Sequence, residues 1–406
     1  METIIFHIDV NSAFLSWSAL DKLHKDPSLD LRTVPSVIGG DQKKRHGVVF
    51  AKSIPAKAYH IQTGEPIINA LKKCPNLIIE PPNMAIYSEK SHQLMNFLSD
   101  ICPDIEQVSI DECFMDFTSI SSFYPSPEEA ANTIKDSIFY TFGFTVNIGI
   151  SNRKVLAKMA SDFKKPNLVH TLYDYEIQNK MWPLPVDNLF MCGKSSIDTL
   201  HKLEILTIGD LAKADPDILV SHLKSHGRLL WEYANGIDNS SINPEPLKAK
   251  GIGNSITLVN DASTKEAVYK VLLNLSETVS RRLRLASQNA SMVSIEIKYN
   301  TFQTVSHQTT LQKPTSTSGE IYKNACALFN EIWDQTPIRL LGIRTSKLLS
   351  IDEPIQLSLF DLEKNHVQDQ KLEKLEHAID DIKKRFGDSS ITRGSFLLHE
   401  NDYKKH

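Results

Sequence analysis

A chain of 406 residues is too long for one ordinary compact core and predicts three or four subdomains. Its 41% hydrophobic and 23% charged residues suit a soluble globular protein, and no apolar run approaches the roughly 18 residues needed to cross a bilayer, which excludes a helical membrane protein. A formal charge of −4 would argue against nucleic acid if it were spread evenly, but residues 240–350 hold 13 Lys+Arg against 8 Asp+Glu, a balance of +5 that leaves −9 on the other 295. An acidic part beside a basic module suits an enzyme that grips a phosphate backbone. The five cysteines are odd in number, scattered and without CxxC spacing, as expected of free thiols in a reducing cytosol.

In chain order, IIFHIDV enters a strand at once with no signal-peptide pattern, so a cytoplasmic location is expected. Residues 1–170 mix short apolar strands (IIFHIDV, VVFAK, LIIE, CFMDF, TVNIGI) with helical patterns. One helix opens at Ser126-Pro127-Glu128-Glu129, with Ser as N-cap, Pro at the first position and Glu at the third. Residues 171–238 read as small helices, and the polar stretch 240–251, with two prolines, reads as a linker. From 251 to 350 the order is strand, helix, two strands, helix, strand, which is a small two-layer domain. Its first helix is expected to start with a capping box of Ser263 and Glu266, and its later strands are expected at 293–299, 306–311 and near 338–349. Leu372, Leu375, Ile379, Ile382 and Phe386 then mark an amphipathic tail helix whose partner the sequence does not name.

Two acidic motifs lie about a hundred residues apart. Asp9 ends the first strand, and Asp111-Glu112 sit between two strand-like runs joined by a tight hairpin. Carboxylates buried close together raise one another's pKa and are costly unless neutralised. A strand-end Asp beside a hairpin Asp-Glu has the donors to hold two Mg²⁺ roughly 3.5–4 Å apart, as in-line phosphoryl displacement requires.

SIDECFMD at 109–116, HIDVNSAFLSW at the start and GISNRKVLAKMASDFKKP at 149–166 together resemble the Y-family DNA polymerases, over about residues 3 to 360. The resemblance implies an α+β multidomain right hand. The palm would take 1–10 and 75–170, the fingers 11–74 and the thumb 171–239. A linker at 240–250 would lead to a β-α-β-β-α-β little finger at 251–350 and a tail at 351–406. It implies that Asp9 and Asp111 bridge two Mg²⁺, that Glu112 binds the ion at the primer 3′-hydroxyl, and that the Val10 carbonyl ligates the nucleotide-bound ion. Phe14, five residues after Asp9, corresponds to the steric gate against a ribose 2′-hydroxyl. Lys165 matches the palm lysine that binds phosphate, and Tyr87 a tyrosine near the nascent pair. Substrates would be primer-template DNA and deoxynucleoside triphosphates, with lesion bypass as the setting and a monomer as the working form.

Two departures stand out. The family's commonest Asn-Tyr-Glu-Ala-Arg stretch is here Ser53-Ile54-Pro55-Ala56-Lys57, so the phosphate-holding Tyr is lost and Arg becomes Lys57, a point charge without a bidentate fork. A Lys there is similar to the polymerase V branch. In the thumb's helix-hairpin-helix, Met191 stands where the first glycine of a Gly-x-Gly turn is expected, leaving Gly193 and Lys194 to bind a DNA phosphate. After the last strand, Gln356-Leu357-Ser358-Leu359-Phe360 matches the pentapeptide with which bacterial polymerases engage the sliding β-clamp, its apolar side chains suited to a small pocket. A nucleotide cyclase, or a catalytically impaired adaptor that binds DNA and clamp, are the competing readings.

Overall fold

The computed structural model describes residues 3–40, 47–245, 248–353, 366–387, 390–392 and 394; the QLSLF segment at 356–360 lies outside these. The chain divides into two compact units, one reaching to Leu247 and one from Lys248 onward. Among the described residues no helix is long and apolar enough to cross a membrane, and the five cysteines are free.

The first unit opens with β1 (Ile5–Val10), buried along its whole length, and turns at Ser12 into α1 (Ala13–Lys25). Then come β2 (Ser36–Gly39), β3 (Val49–Lys52), α2 (Ile54–Lys57), α3 (Ile67–Lys73) and β4 (Ile78–Glu80). These strands form a small sheet, order β3-β2-β4, over a core of Val37, Val49, Ile67 and Leu77. Since β4 belongs to it, this layer runs past residue 74, where the fingers were expected to end.

The chain continues through α4 (Met84–Ile101), β5 (Ile105–Gln107), β6 (Glu112–Asp116), α5 (Pro127–Phe142), β7 (Val146–Ser151), α6 (Lys154–Asp162) and β8 (Val169–Thr171). Helix α5 starts as the sequence predicts: Ser126 Oγ accepts from the Glu129 N–H at 3.1 Å, with Pro127 in the first position. The main sheet has the order β5-β6-β1-β7-β8. Alternation along each strand sorts its two faces. Phe6, Ile8, Cys113, Met115, Val146 and Ile148 join Trp17, Leu94 and Ile134 in one core, each large side chain contributing roughly 1.5–3 kcal/mol by burial. The opposite face carries His7, Asp9, Glu112, Asn147 and Gly149, and α6 lies across it. Gly149 makes that possible, because a Cβ there would stand 2.0 Å from the Ala157 carbonyl oxygen.

Helices α7 (Lys194–Lys202), α8 (Ile208–Lys213), α9 (Pro216–Leu223) and α10 (Ser225–Ala234) pack around Leu200, Leu211, Leu219 and Leu230. A linker was expected from 240, and the first residues of that segment are bonded within the first unit. Asp238 accepts from the Val155 N–H at 2.9 Å, Glu106 accepts from the Asn243 N–H at 2.8 Å, and Ile242 packs on Ile5, Phe114 and Ala157.

The second unit is β9 (Gly251–Ala262), α11 (Lys265–Leu285), β10 (Gln288–Tyr299), β11 (Thr304–Thr315), α12 (Ser318–Ile332), β12 (Ile338–Ser350) and α13 (His366–Phe386). Its antiparallel sheet, order β11-β10-β12-β9, packs against α11 and α12 through Leu272, Val279, Ile295, Phe329 and Leu341. The predicted element order holds, with two corrections. Thr264, not Ser263, is the N-cap of α11, its side chain accepting from the Ala267 N–H. The strands are also longer than their apolar cores, since polar residues line the open face. Helix α13 finds its partner here: Arg284 binds Glu376 and, at 2.6 Å, Asp380, while Glu376 accepts from the Ser318 N–H at 2.9 Å.

Candidate active site

Strand register brings the acidic residues together. Asp9 on β1 lies opposite Glu112 on β6 and Asn147 on β7. The Val10 N–H donates to the Asp111 carbonyl at 3.0 Å, and the hairpin closes through the Val108 N–H on the Glu112 carbonyl at 3.1 Å. Asp9, Val10, Asp111 and Glu112 are thus neighbours through backbone pairing alone, despite a hundred intervening residues.

Their charges are unequal. Burial, reinforced by the Asp9 and Glu112 charges, raises the Asp111 carboxyl above the usual range, although Ser109 Oγ donates to it at 2.6 Å. Glu112 is instead held down to about 2 by His7 and Lys158. Lys158 is the firmer partner, at 2.9 Å; His7 Nε2 stands 3.4 Å away, too far for a good hydrogen bond. Burial keeps the His7 ring's pKa low, and Nδ1 meets Ser161 Oγ at 2.8 Å. Ser161 Oγ also reaches the Lys158 carbonyl, to which it donates at 2.8 Å.

Lys165 Nζ sits on the Asp9 carboxylate and lies 2.9 Å from Asp162. Burial alone would lower its pKa, and these two carboxylates more than offset that. Each acid therefore faces a cation or a hydroxyl, and among the described residues no three acidic, His or Cys groups converge closely enough to hold a metal ion as they stand. The donor chemistry nevertheless fits a hard divalent cation. Asp9 and Asp111 bring two carboxylates to segments joined at the Val10 N–H, and burial that disfavours the ionised Asp111 would be relieved by a bound cation.

Phe14 is half-buried and stacks on Tyr87, ring centroids 4.7 Å apart. Tyr87 itself is wholly buried and bonds Ser18 Oγ through its hydroxyl at 2.7 Å, so it supports Phe14 and does not present its hydroxyl to a nucleotide. Lys57 is exposed on α2, near enough to Lys52 to add to the burial that lowers that ammonium's pKa. Gly193 caps α7 with ordinary extended backbone, and a Cβ there would meet nothing within 4 Å, so packing does not demand the glycine. Lys194 follows it, exposed. Met191 adopts φ 67°, the left-handed conformation that glycine would take without strain.

Sequence reasoning missed His7, Lys158 and Asn147. His7 was within reach, since it lies two residues from Asp9 and must share its face. The other two needed the tertiary fold.

The fold is that of a Y-family DNA polymerase. A solved chimeric Y-family DNA polymerase superposes with a TM-score of 0.76, covering 86% of this chain and 99% of that one at 21% identity. Residues 8–162 match the impB/mucB/samB family and residues 249–359 the impB/mucB/samB family C-terminal domain. DNA polymerase IV of Clostridium acetobutylicum is 48% identical, covering 98% of this chain and 100% of its own length. DNA polymerase IV 1 of Bacillus subtilis is 35% identical, covering 99% of this chain and 95% of its own. The chain belongs to the impB/mucB/samB family of Y-family DNA polymerases, alongside relatives named DNA polymerase IV. Membership implies use of a divalent metal.

Proposed function

We propose that Asp9, Asp111 and Glu112 form the nucleotidyl-transfer centre of a template-directed DNA polymerase. The chain is a DNA-directed DNA polymerase of the translesion class, acting on DNA and deoxynucleotides. One observation carries the site reading: carboxylate residues from two distant segments are brought to a single point by strand register and the Val10–Asp111 backbone bond. Asp9, Asp111, Glu112 and the Val10 carbonyl would hold two Mg²⁺. When bound, these ions lower the pKa of the primer 3′-hydroxyl and neutralise the pyrophosphate leaving group.

The remaining roles belong to side chains. Lys158 keeps Glu112 ionised. Lys165, once released from Asp9, offers its ammonium to the triphosphate, and Lys57 adds a second charge from α2. Phe14, backed by Tyr87, fills the space of a ribose 2′-hydroxyl. Gly193 and Lys194 take a DNA phosphate, and QLSLF recruits a β-clamp that raises local concentration at the primer. In this reading the palm takes 1–10 and about 81–170, the fingers 11–80 with β4 as the last strand of their sheet, the thumb 171–239 and the little finger 251–350, and the enzyme works as a cytoplasmic monomer. No observation favours the adaptor. Primer extension with all four deoxynucleotides and Mg²⁺ tests the reading, with template omitted as control; retained DNA binding without extension would refute it.

A further inference from the structure

The loop that carries Lys165 is held from inside by two asparagines. Asn147, on β7 opposite Asp9, has no exposed surface. Every hydrogen-bonding position of its amide is used. Nδ2 donates to the carbonyls of Ser161 at 3.1 Å and Lys164 at 2.6 Å, while Oδ1 accepts from Asn11 Nδ2 at 3.1 Å and from the Leu168 N–H at 3.3 Å. Asn11 extends the chain of bonds, because its Oδ1 accepts from the Asn167 N–H at 2.9 Å. These contacts bracket Lys165, with Lys164 before it and Asn167 and Leu168 after it. Two further bonds help: His170 Nε2 meets the Lys164 carbonyl at 3.1 Å from the exposed side, and the Ile148 N–H reaches the Leu168 carbonyl at 3.0 Å.

An amide suits this position for a physical reason. The Ser161 carbonyl lies at the C-terminal end of α6, where backbone acceptors lack helical donors. A site between two such acceptors and two incoming N–H groups needs two donors and an acceptor with two lone pairs on one short planar group. Aspartate would set its carboxylate against the carbonyls, and alanine would remove all four of these bonds at once.

We propose that Asn147, acting with Asn11, is a positioning residue for Lys165: it fixes the loop so that the ammonium stands beside Asp9, and so sets affinity for the incoming nucleoside triphosphate. The inference rests on the reading of Lys165 as a triphosphate ligand. Single-turnover incorporation over a range of deoxynucleotide concentrations separates nucleotide Kd from maximal rate. It would be measured for Asn147→Ala, Asn11→Ala, Lys165→Ala and the Asn147→Ala/Lys165→Ala pair, with thermal unfolding and primer-template affinity as controls. Lys165→Ala is expected to weaken nucleotide binding by at least about tenfold and Asn147→Ala by about three- to tenfold, the latter with maximal rate within about twofold. In the Lys165→Ala background, Asn147→Ala should cost less than about twofold, since its effect passes through the lysine. Asn11→Ala, which cuts one end of the network, carries the same comparison if Asn147→Ala does not fold. Unchanged nucleotide affinity in the folded variants would overturn the proposal, as would an equal penalty with and without Lys165. Wild-type affinity in Lys165→Ala would instead remove the reading of Lys165 and the proposal with it.

Discussion

Replacing Glu112 by Gln removes a charge from the site while keeping the side chain's shape, and its effect on stability has a defined sign. The His7 ring and the Lys158 ammonium lower the Glu112 carboxyl from 4.5 to about 2, with the side chain 22% exposed. An acid depressed on folding contributes stability that is fully present above its unfolded pKa, here near 4.5, and is lost as pH falls toward 2. That interval corresponds to roughly 3 kcal/mol, an upper figure because solvent screens part of the interaction. Lys158 retains Asp162 at 3.4 Å, so the variant does not leave its ammonium alone. Glu112→Gln is therefore expected to be less stable than the parent by about 1–3 kcal/mol in urea unfolding at pH 7. The difference should shrink below pH 4.5 and close toward pH 2. Equal stability at pH 7, or a gap that persists on acidification, would refute this account of Glu112.

Phe14→Val is expected to raise ribonucleotide incorporation relative to deoxynucleotide by at least about tenfold, because a clash is removed and no contact to the deoxyribose is added; an unchanged ratio would end the gate assignment. Met191→Gly relieves a left-handed strain of about 1–2 kcal/mol and bares the backbone beside Gly193, so primer-template binding by anisotropy should tighten. Weaker binding would show that the methionine side chain itself grips DNA. Leu359→Ala with Phe360→Ala should abolish stimulation by a β-clamp and leave clamp-free extension intact; continued stimulation would place the contact elsewhere.

What the sequence disclosed, and what it withheld, follows from the range of the interactions. Strand β1, the hairpin at Asp111-Glu112 and the capped start of α5 are local patterns, and each formed as its residues dictate. The β-α-β-β-α-β order of the second unit was legible because helix and strand periods alternate cleanly there. The α11 cap was misjudged because Ser263 and Thr264 are adjacent and equally able to cap, and only the helix phase distinguishes them. Three features depend on partners far away along the chain. The asparagine network joins Asn11, Asn147 and Lys164, the tail helix meets Arg284, and residue 243 returns to Glu106. No local period encodes such pairings. The aromatic stack under Phe14 was half visible: Tyr87 was named, but its burial and its bond to Ser18 needed the packed core.

The most direct measurement is single-turnover nucleotide incorporation by Asp111→Ala beside the parent, with primer-template affinity measured on the same preparations. Asp111 bonds Ser109 and lies on a hairpin whose backbone pairing does not involve its side chain, so the fold should persist. The account predicts intact DNA binding and incorporation reduced roughly a thousandfold or more. Incorporation close to that of the parent would contradict it.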